Sequence, residues 1–327
     1  MSLSTDALVV RALEPGDLDA AGALLADRHR RHRVAEPLLD PAYEEPAVAR
    51  AEIEKLLGDP TASAWTALGG GVLAGYMIGT GKDPSAWGPN VWIEAAGHAA
   101  DGRAVVRALY AAAAASWVAD GRTNHHVLVP ATDPELVDAW FGLDFGQQHL
   151  HAVREVPPAS FGVVPRSELV IRRPTREDIP ALAELELVLP NHSPRSPLFS
   201  KVPIQPVEEI EAELVADFDD PKYTWFVAEH EGRVIGSAIA CSLTVSSSNS
   251  SLIRPASAGF LGYAAVLPAA RGLGAGKTLG EAVLAWARDT GYPTIATDWR
   301  STNLEADRSW RGLAFRPTFR RLHRLIG

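Results

Sequence analysis

The stretch from Val266 to Lys277 reads Val-Leu-Pro-Ala-Ala-Arg-Gly-Leu-Gly-Ala-Gly-Lys, and it constrains the fold more than any other part of the chain. An apolar run of strand length, Phe260 to Ala265, precedes it. Leu279, Val283, Leu284 and Trp286 or Ala287 recur at helical spacing after it, over Thr278 to Arg288. The unit is therefore strand, glycine-rich turn, helix. Gly272, Gly274 and Gly276 fall where the helix must begin, and a residue without Cβ lets the backbone turn sharply and lets a ligand come close. The first amides of a helix have no intrahelical acceptor. Together with the helix dipole they make a site for an anion, phosphate above all. Arg271 and Lys277 flank it with positive charge.

The spacing is neither Gly-x-x-x-x-Gly-Lys-Ser/Thr nor Gly-x-Gly-x-x-Gly, because the glycines alternate. A turn that binds nothing is the plain alternative. However, Arg271-x-x-Gly274-x-Gly276 preceded by Val266-x-Pro268 resembles the acyl-CoA pyrophosphate loop of the GNAT superfamily of N-acyltransferases. A second motif follows in the family's order. Thr294 to Trp299 reads as a strand, Asn303-x-x-Ala306 precedes Trp310, and Gly312-x-x-Phe315 closes the unit. The resemblance covers the last half of the chain strongly and the first half weakly. It implies an α/β fold with a twisted mixed sheet flanked by helices. It implies that the backbone at Ala264, Ala265 and Val266 binds the pantetheine arm. The amides of Gly272, Leu273, Gly274, Ala275, Gly276 and Lys277, with Arg271, would take the pyrophosphate, and Asn303 would reach the pantetheine or the thioester.

The first half echoes the second. Leu8-Val9-Val10-Arg11 matches Leu169-Val170-Ile171-Arg172, with Asp17 and Asp178 each opening a helix, to Arg30 and to Leu189. Hairpins surround Gly69-Gly70-Gly71 and Glu231-Gly232-Arg233, with Leu73-Ala74-Gly75 matching Val234-Ile235-Gly236. Trp140-Phe-Gly-Leu-Asp-Phe145 matches Trp310-Arg-Gly-Leu-Ala-Phe315. The chain has 327 residues, comfortable for two domains. The reading is two tandem GNAT-like domains, 1–156 and 168–327, joined by a proline-marked linker over 157–167. The tandem layout is similar to that of mycothiol synthases, which fixes no substrate. In the first half, Asp101-Gly102-Arg103-Ala104-Val105-Val106-Arg107 stands where the loop would be. An acid replaces the arginine and Cβ-bearing residues replace two glycines, so this domain is read as degenerate and without cofactor.

Within the first half, strands are expected at 63–67, 72–79, 91–95, 127–130 and 147–155, with helices at 47–57, 103–119 and 134–141. The basic run Arg28 to Arg33 reads as the solvated end of a helix. The net charge of −9 argues against nucleic acid, which leaves a basic footprint. The single cysteine, Cys241, sits in the apolar run Ile239-Ala240-Cys241 and reads as a buried thiol. With no apolar signal region at Met1 to Asp6 and no bilayer-length apolar run, the expectation is a soluble cytoplasmic protein, monomer or homodimer.

The implied activity is transfer of an acetyl group from acetyl-CoA, as cosubstrate, to a primary amine of a small molecule. Its nitrogen must lose a proton, and the oxyanion needs a donor, the amide of Val266. Two departures stand out. Trp310 occupies the place of a tyrosine acid used by many relatives, and an indole N–H cannot be that acid. Ala256 to Leu267 holds no carboxylate, so the strand glutamate is missing too. Asp298, Tyr263 and His192 are the remaining candidates, each with a plain structural role as its alternative. His125 and His126 lack further ligands at zinc spacing, so no metal is expected. The pocket for the acceptor falls in 189–206 and 242–257, where Ser246 to Ser251 reads as a flexible loop. The non-enzymatic alternative is an acyl-CoA-binding or structural tandem module.

Overall fold

The computed structural model describes residues 8–158, 168–200, 203–247, 249 and 251–327; most of the expected linker and part of the serine loop lie outside them. The chain divides into two compact units. One comprises Met1–His151, Ser250–Ala256 and Pro317–Gly327; the other comprises Ala152–Asn249 and Ser257–Arg316.

The first unit holds β1 (Val9–Ala12), α1 (Leu18–Ala35), α2 (Pro46–Leu57), β2 (Ser63–Gly69), β3 (Val72–Gly79), α3 (Pro84–Trp87), β4 (Asn90–Ile93), β5 (His98–Ala100), α4 (Arg103–Ala119), β6 (Asn124–Pro130), α5 (Pro134–Phe141) and most of β7 (Gly146–Glu155). The second holds β8 (Val170–Arg172), α6 (Ile179–Glu186), α7 (Val188–His192), α8 (Val207–Asp217), β9 (Tyr223–His230), β10 (Arg233–Ser242), β11 (Ala258–Val266), α9 (Ala275–Thr290), β12 (Thr294–Arg300) and α10 (Leu304–Gly312). The last strand, β13 (Arg316–Leu325), lies almost wholly in the first unit. There it pairs antiparallel with β6 from Phe319↔Pro130 to Leu325↔Asn124. The end of β7 goes the other way. Past His151 it belongs to the second unit, where Val156 donates to Pro293 O and Glu155 pairs with Arg316 at 2.8 Å. A contiguous division at 157–167 does not describe this arrangement. Edge strands pair with whatever ladder offers free backbone groups, and sequence adjacency does not decide which.

The sheets are mixed. In the first unit β1, β2, β3 and β5 pair antiparallel in that order, and β4 runs parallel to β6. The strand expected at 91–95 is broken: β4 ends at Ile93 and the chain resumes as β5 at His98. In the second unit β8, β9, β10 and β11 are antiparallel and β12 runs parallel to β11. Further departures are α3, the separate α7, α8 and β13, none of which the periodicity marked.

The duplication reappears in detail. Arg11 grips Asp17 with two hydrogen bonds, 2.8 and 2.9 Å, and Arg172 grips Asp178 at 2.7 and 2.9 Å. Each aspartate also accepts a backbone amide three residues back, from Glu14 and Thr175. These carboxylates therefore tie strand to helix and do not cap the amides of the long helix. Arg172 holds Asp178 down to about 2. Trp140 and Trp310 both stack edge-on against their following phenylalanines, Phe145 and Phe315. Among the described residues no helix is long and apolar enough to cross a membrane.

The basic run differs from expectation. Arg28, His29 and His32 are 4%, 1% and 3% exposed. Helix α1 continues to Ala35, so these residues form a packed face; only Arg30 and Arg31 sit on the solvent side, beside Asp27. His32 packs against Phe319 of β13 at 4.8 Å. Burial pulls His29 down to about 4, and His32 and His98 down to about 3. Unfolded histidines titrate near 6.5, so below that pH the unfolded chain binds more protons than the native one. The stability these groups contribute is present above pH 6.5 and is lost as pH falls toward 4 and 3. Near-ultraviolet circular dichroism against pH should show the tertiary signal fading on the acid side of neutrality, and His32→Leu should move the midpoint to lower pH. An unmoved midpoint would remove His32 from the account.

Candidate active site

The site starts from a parting of two strands. β11 pairs with β12 only from Ala258↔Thr294 to Leu261↔Thr297. At that point β11 bulges: Ala240 faces Leu261 and Ile239 faces Tyr263, which leaves Gly262 as the extra residue. Thr297 donates its hydroxyl to Leu261 O at 2.9 Å and closes the last rung. Beyond it, Leu267 N–H donates to Ile235 O. In an antiparallel ladder, alternate residues share that orientation, so Tyr263 and Ala265 turn their amides to β10. Ala264 and Val266 turn theirs toward the gap.

The gap opens into a cavity of about 440 Å³. Ala264, Ala265, Val266, Arg271, Gly272, Gly274, Ala275, Gly276, Lys277 and Asn303 all line it, as do His192 and Trp310. Of the residues expected to hold cofactor, only Leu273 is not in its wall. Helix α9 begins at Ala275, three residues before the periodicity placed it. Gly274 is its N-cap in the left-handed region, φ 84°, and Gly272 lies at φ 92°. A Cβ at either would be strained. No side chain caps this end, so the first amides point outward without an intrahelical acceptor. Arg271 crosses the rim to Glu305 at 2.9 Å. Asn303 caps α10 by accepting from Ala306 N–H at 3.2 Å. Its amide nitrogen makes no hydrogen bond among the described residues. Trp310 is 8% exposed and is both packing and cavity wall.

The other candidates lie on one face of the sheet. A Cβ at Gly236 or Gly259 would touch Leu279 or Trp286, so those positions face α9. Side chains alternate along a strand. Tyr263, Asp298 and Arg300 therefore face the opposite side, which α6 covers. Tyr263 donates to Leu185 O of α6 at 2.7 Å. Burial, with the neighbouring Glu186 carboxylate, pushes its ionisation up, so this hydroxyl is a donor and a poor base. Asp298 accepts from Asn249 Nδ2 at 2.9 Å. Neither borders the cavity, whereas His192 does.

One residue escaped the sequence reading. Glu186 ends α6 beside Tyr263, and burial pushes its carboxyl up to about 7. It has no hydrogen-bond or ion-pair partner among the described residues. The available signal was a carboxylate set inside the apolar run Leu185-Glu186-Leu187-Val188-Leu189.

The corresponding gap of the first unit is filled. Pairing of Gly75 with Ala100 and of Gly236 with Val266 aligns His98 with Ala264. The Arg28 guanidinium donates to the carbonyls of His98 and Ala95, and the His98 ring bonds Leu128 O of β6 at 2.9 Å. Arg103, which begins α4, is tied to Asp138 at 2.8 Å. Among the described residues no group of three or more His, Cys, Asp or Glu is placed to hold a metal. His125 is used by Tyr110 and by Arg122 O. Burial pushes the Cys241 thiol up to about 11, as suits a packed, unreactive sulfur.

A profile of the acetyltransferase (GNAT) family matches residues 191–315. The match covers α8 to α10, and with them the cavity wall from Ala264 to Trp310. Among solved structures, a GCN5-related N-acetyltransferase from Sphaerobacter thermophilus is 14% identical, with a TM-score of 0.58 over 99% of this chain and 97% of that one. A GCN5-related glucosamine N-acetyltransferase region of a fungal multi-domain GH3 β-N-acetylglucosaminidase is 14% identical, with a TM-score of 0.51 over 98% of this chain and 38% of that one. A tandem GNAT protein from the clavulanic acid biosynthesis pathway is 17% identical, with a TM-score of 0.49 over 98% of this chain and 99% of that one. No curated protein matches the sequence. The mixed α/β architecture along the chain is thus the GNAT fold.

Proposed function

We propose that the protein transfers an acetyl group from acetyl-CoA to a primary amine of a small molecule, and that only its second unit holds the cosubstrate. The observation that carries this is the cavity, in which the outward amides of Ala264 and Val266 lead to the uncapped end of α9. The backbone of Ala264 and Val266 holds the pantetheine arm and the Asn303 amide nitrogen steadies it. The amides from Gly274 to Lys277 take the pyrophosphate, with Arg271 and Lys277 beside them. In the first unit, Arg28 already uses the carbonyl that such an arm would need.

The neutral amine attacks the thioester carbon, the Val266 amide bonds the oxyanion, and the carbon–sulfur bond then breaks. The amine proton passes to a carboxylate on the α6 face. Glu186 suits this role best, since a base near pH 7 is matched to the working range; Asp298 and His192 are the other bases within the candidate set. Trp310 shapes the wall.

Calorimetry should find one acetyl-CoA per chain, and Gly274→Leu should abolish binding. Glu305→Gln frees Arg271 and removes a negative charge from the rim, so it should tighten binding. A stoichiometry of two would overturn the assignment of the first unit. Thiol release from acetyl-CoA over a panel of amines decides between an enzyme and a module that only binds acyl-CoA.

Glu186 also gives a signed pH expectation. A base with a pKa raised to about 7 makes kcat/KM climb through that pH and level above it. Glu186→Gln should flatten the limb and cost about a hundred- to ten-thousand-fold in turnover, whereas Asp298→Asn should do so only if Asp298 is the base. The stability that the raised pKa confers is full below the ordinary value of 4.5 and lost as pH rises through about 7. Glu186→Gln should therefore melt higher than the parent protein at pH 8. Loss of activity without that gain would make Glu186 a structural residue.

A further inference from the structure

Arg300 is the last residue of β12. Its side chain shares the α6 face with Asp298 and Tyr263, on the far side of the point where β11 and β12 part. At about 3.3 Å per residue, Arg300 sits roughly 10 Å beyond the last rung at Thr297. Ligands of open α/β sheets collect at this carboxyl end of the strands.

Arg300 differs from the ion-paired arginines of its unit. Arg172, Arg271, Arg311 and Arg316 each hold a carboxylate, at 2.7, 2.9, 2.9 and 2.8 Å. Arg300 has no carboxylate partner among the described residues. Its hydrogen bond goes to the hydroxyl of Ser200 at 3.1 Å, a neutral oxygen that orients the fork without cancelling its charge. The side chain is largely withdrawn from water, and burial lowers its pKa. A guanidinium stays charged at any working pH, and a desolvated charge without a counter-charge is costly. A chain of net charge −9 also repels anions in general, so holding one needs a dedicated cation. The guanidinium fork matches carboxylate and phosphate geometry, two N–H bonds at a time.

We propose that Arg300 binds an anionic group on the acceptor, so that the substrate is an amine carrying a carboxylate or a phosphate. The inference rests on the acetyl-transfer reading and narrows it. The amine nitrogen bonds to the acetyl carbon, its proton passes to the carboxylate on the α6 face, and the carbon–sulfur bond breaks to release coenzyme A as the thiolate. The anion on Arg300 takes no part in bond making and only aligns the amine.

The test uses the full chain, acetyl-CoA and two matched pairs of amines. Lysine and cadaverine differ by a carboxylate; O-phosphoethanolamine and ethanolamine differ by a phosphate. The expected result is faster thiol release with the anionic member of one pair, and the pair that responds names the group. Arg300→Gln should lower kcat/KM for that member by about ten- to a hundredfold, the range for a lost charge-assisted bond. The loss should appear mainly in KM, leave the neutral member unchanged, and be partly recovered in Arg300→Lys. Equal rates within both pairs for the parent protein, or equal losses on both members in Arg300→Gln, would overturn the proposal. A thermal-shift arm with CoA present separates the two readings. If no amine releases thiol, yet lysine or O-phosphoethanolamine raises the melting temperature of the parent protein and not of Arg300→Gln, the anion site stands and acetyl transfer falls. If neither thiol release nor a shift appears, both fall.

Discussion

The site depends on one interrupted ladder. Four residue pairs bind β11 to β12, and the ladder ends where Gly262 is inserted opposite the step from Ile239 to Ala240 within β10. A buried backbone amide without a partner is costly. The parting of the strands leaves the groups of Ala264 and Val266 exposed to whatever fills the gap. The same β11 chain then runs directly into Arg271 and the glycines. Backbone donors along the strand and backbone donors at the helix end thus line one cavity. They come from consecutive residues, so they need no long-range coincidence to meet.

The first unit makes the opposite choice with the same geometry. Its strand is also interrupted, between Ile93 and His98. There the carbonyls are satisfied from within, by Arg28 reaching from α1. The cost is a buried guanidinium, which burial lowers to about 10. Three histidines held neutral pack in the same unit. This unit uses these polar groups within its own interior, and its buried histidines make its stability depend on pH.

The second unit carries the reverse imbalance. Most of its charged side chains are paired, as with Arg172 and Asp178. Two groups on the α6 face are not: Glu186, a carboxylate in an apolar setting, and Arg300, a cation held by a hydroxyl. Both are unfavourable in an isolated chain. Groups with perturbed protonation and unmet charge concentrate where a protein does chemistry, and here they lie on the same side of the sheet as Tyr263 and Asp298.

Much of this was legible in the amino-acid order. The residues proposed to hold the cofactor, Val266 to Lys277, are contiguous, and what such a site requires is local: left-handed turns at Gly272 and Gly274, amides without an intrahelical acceptor at a helix start, a cation beside them. Local demands leave a spacing that can be read. The duplication was legible for the same reason, since Arg11 with Asp17 and Arg172 with Asp178 repeat within a few residues of each other. Other features were decided by tertiary structure alone. Arg28, His29 and His32 look like a solvated helix end until β13 supplies Phe319 to cover them. β13 joins the first unit, and β7 crosses to the second, because strand pairing compares backbone edges and carries little side-chain code. Glu186 and Arg300 are ordinary charged residues in one dimension. Their character comes from what is missing around them, water and a counter-charge, and that is a property of packing between segments far apart in the chain.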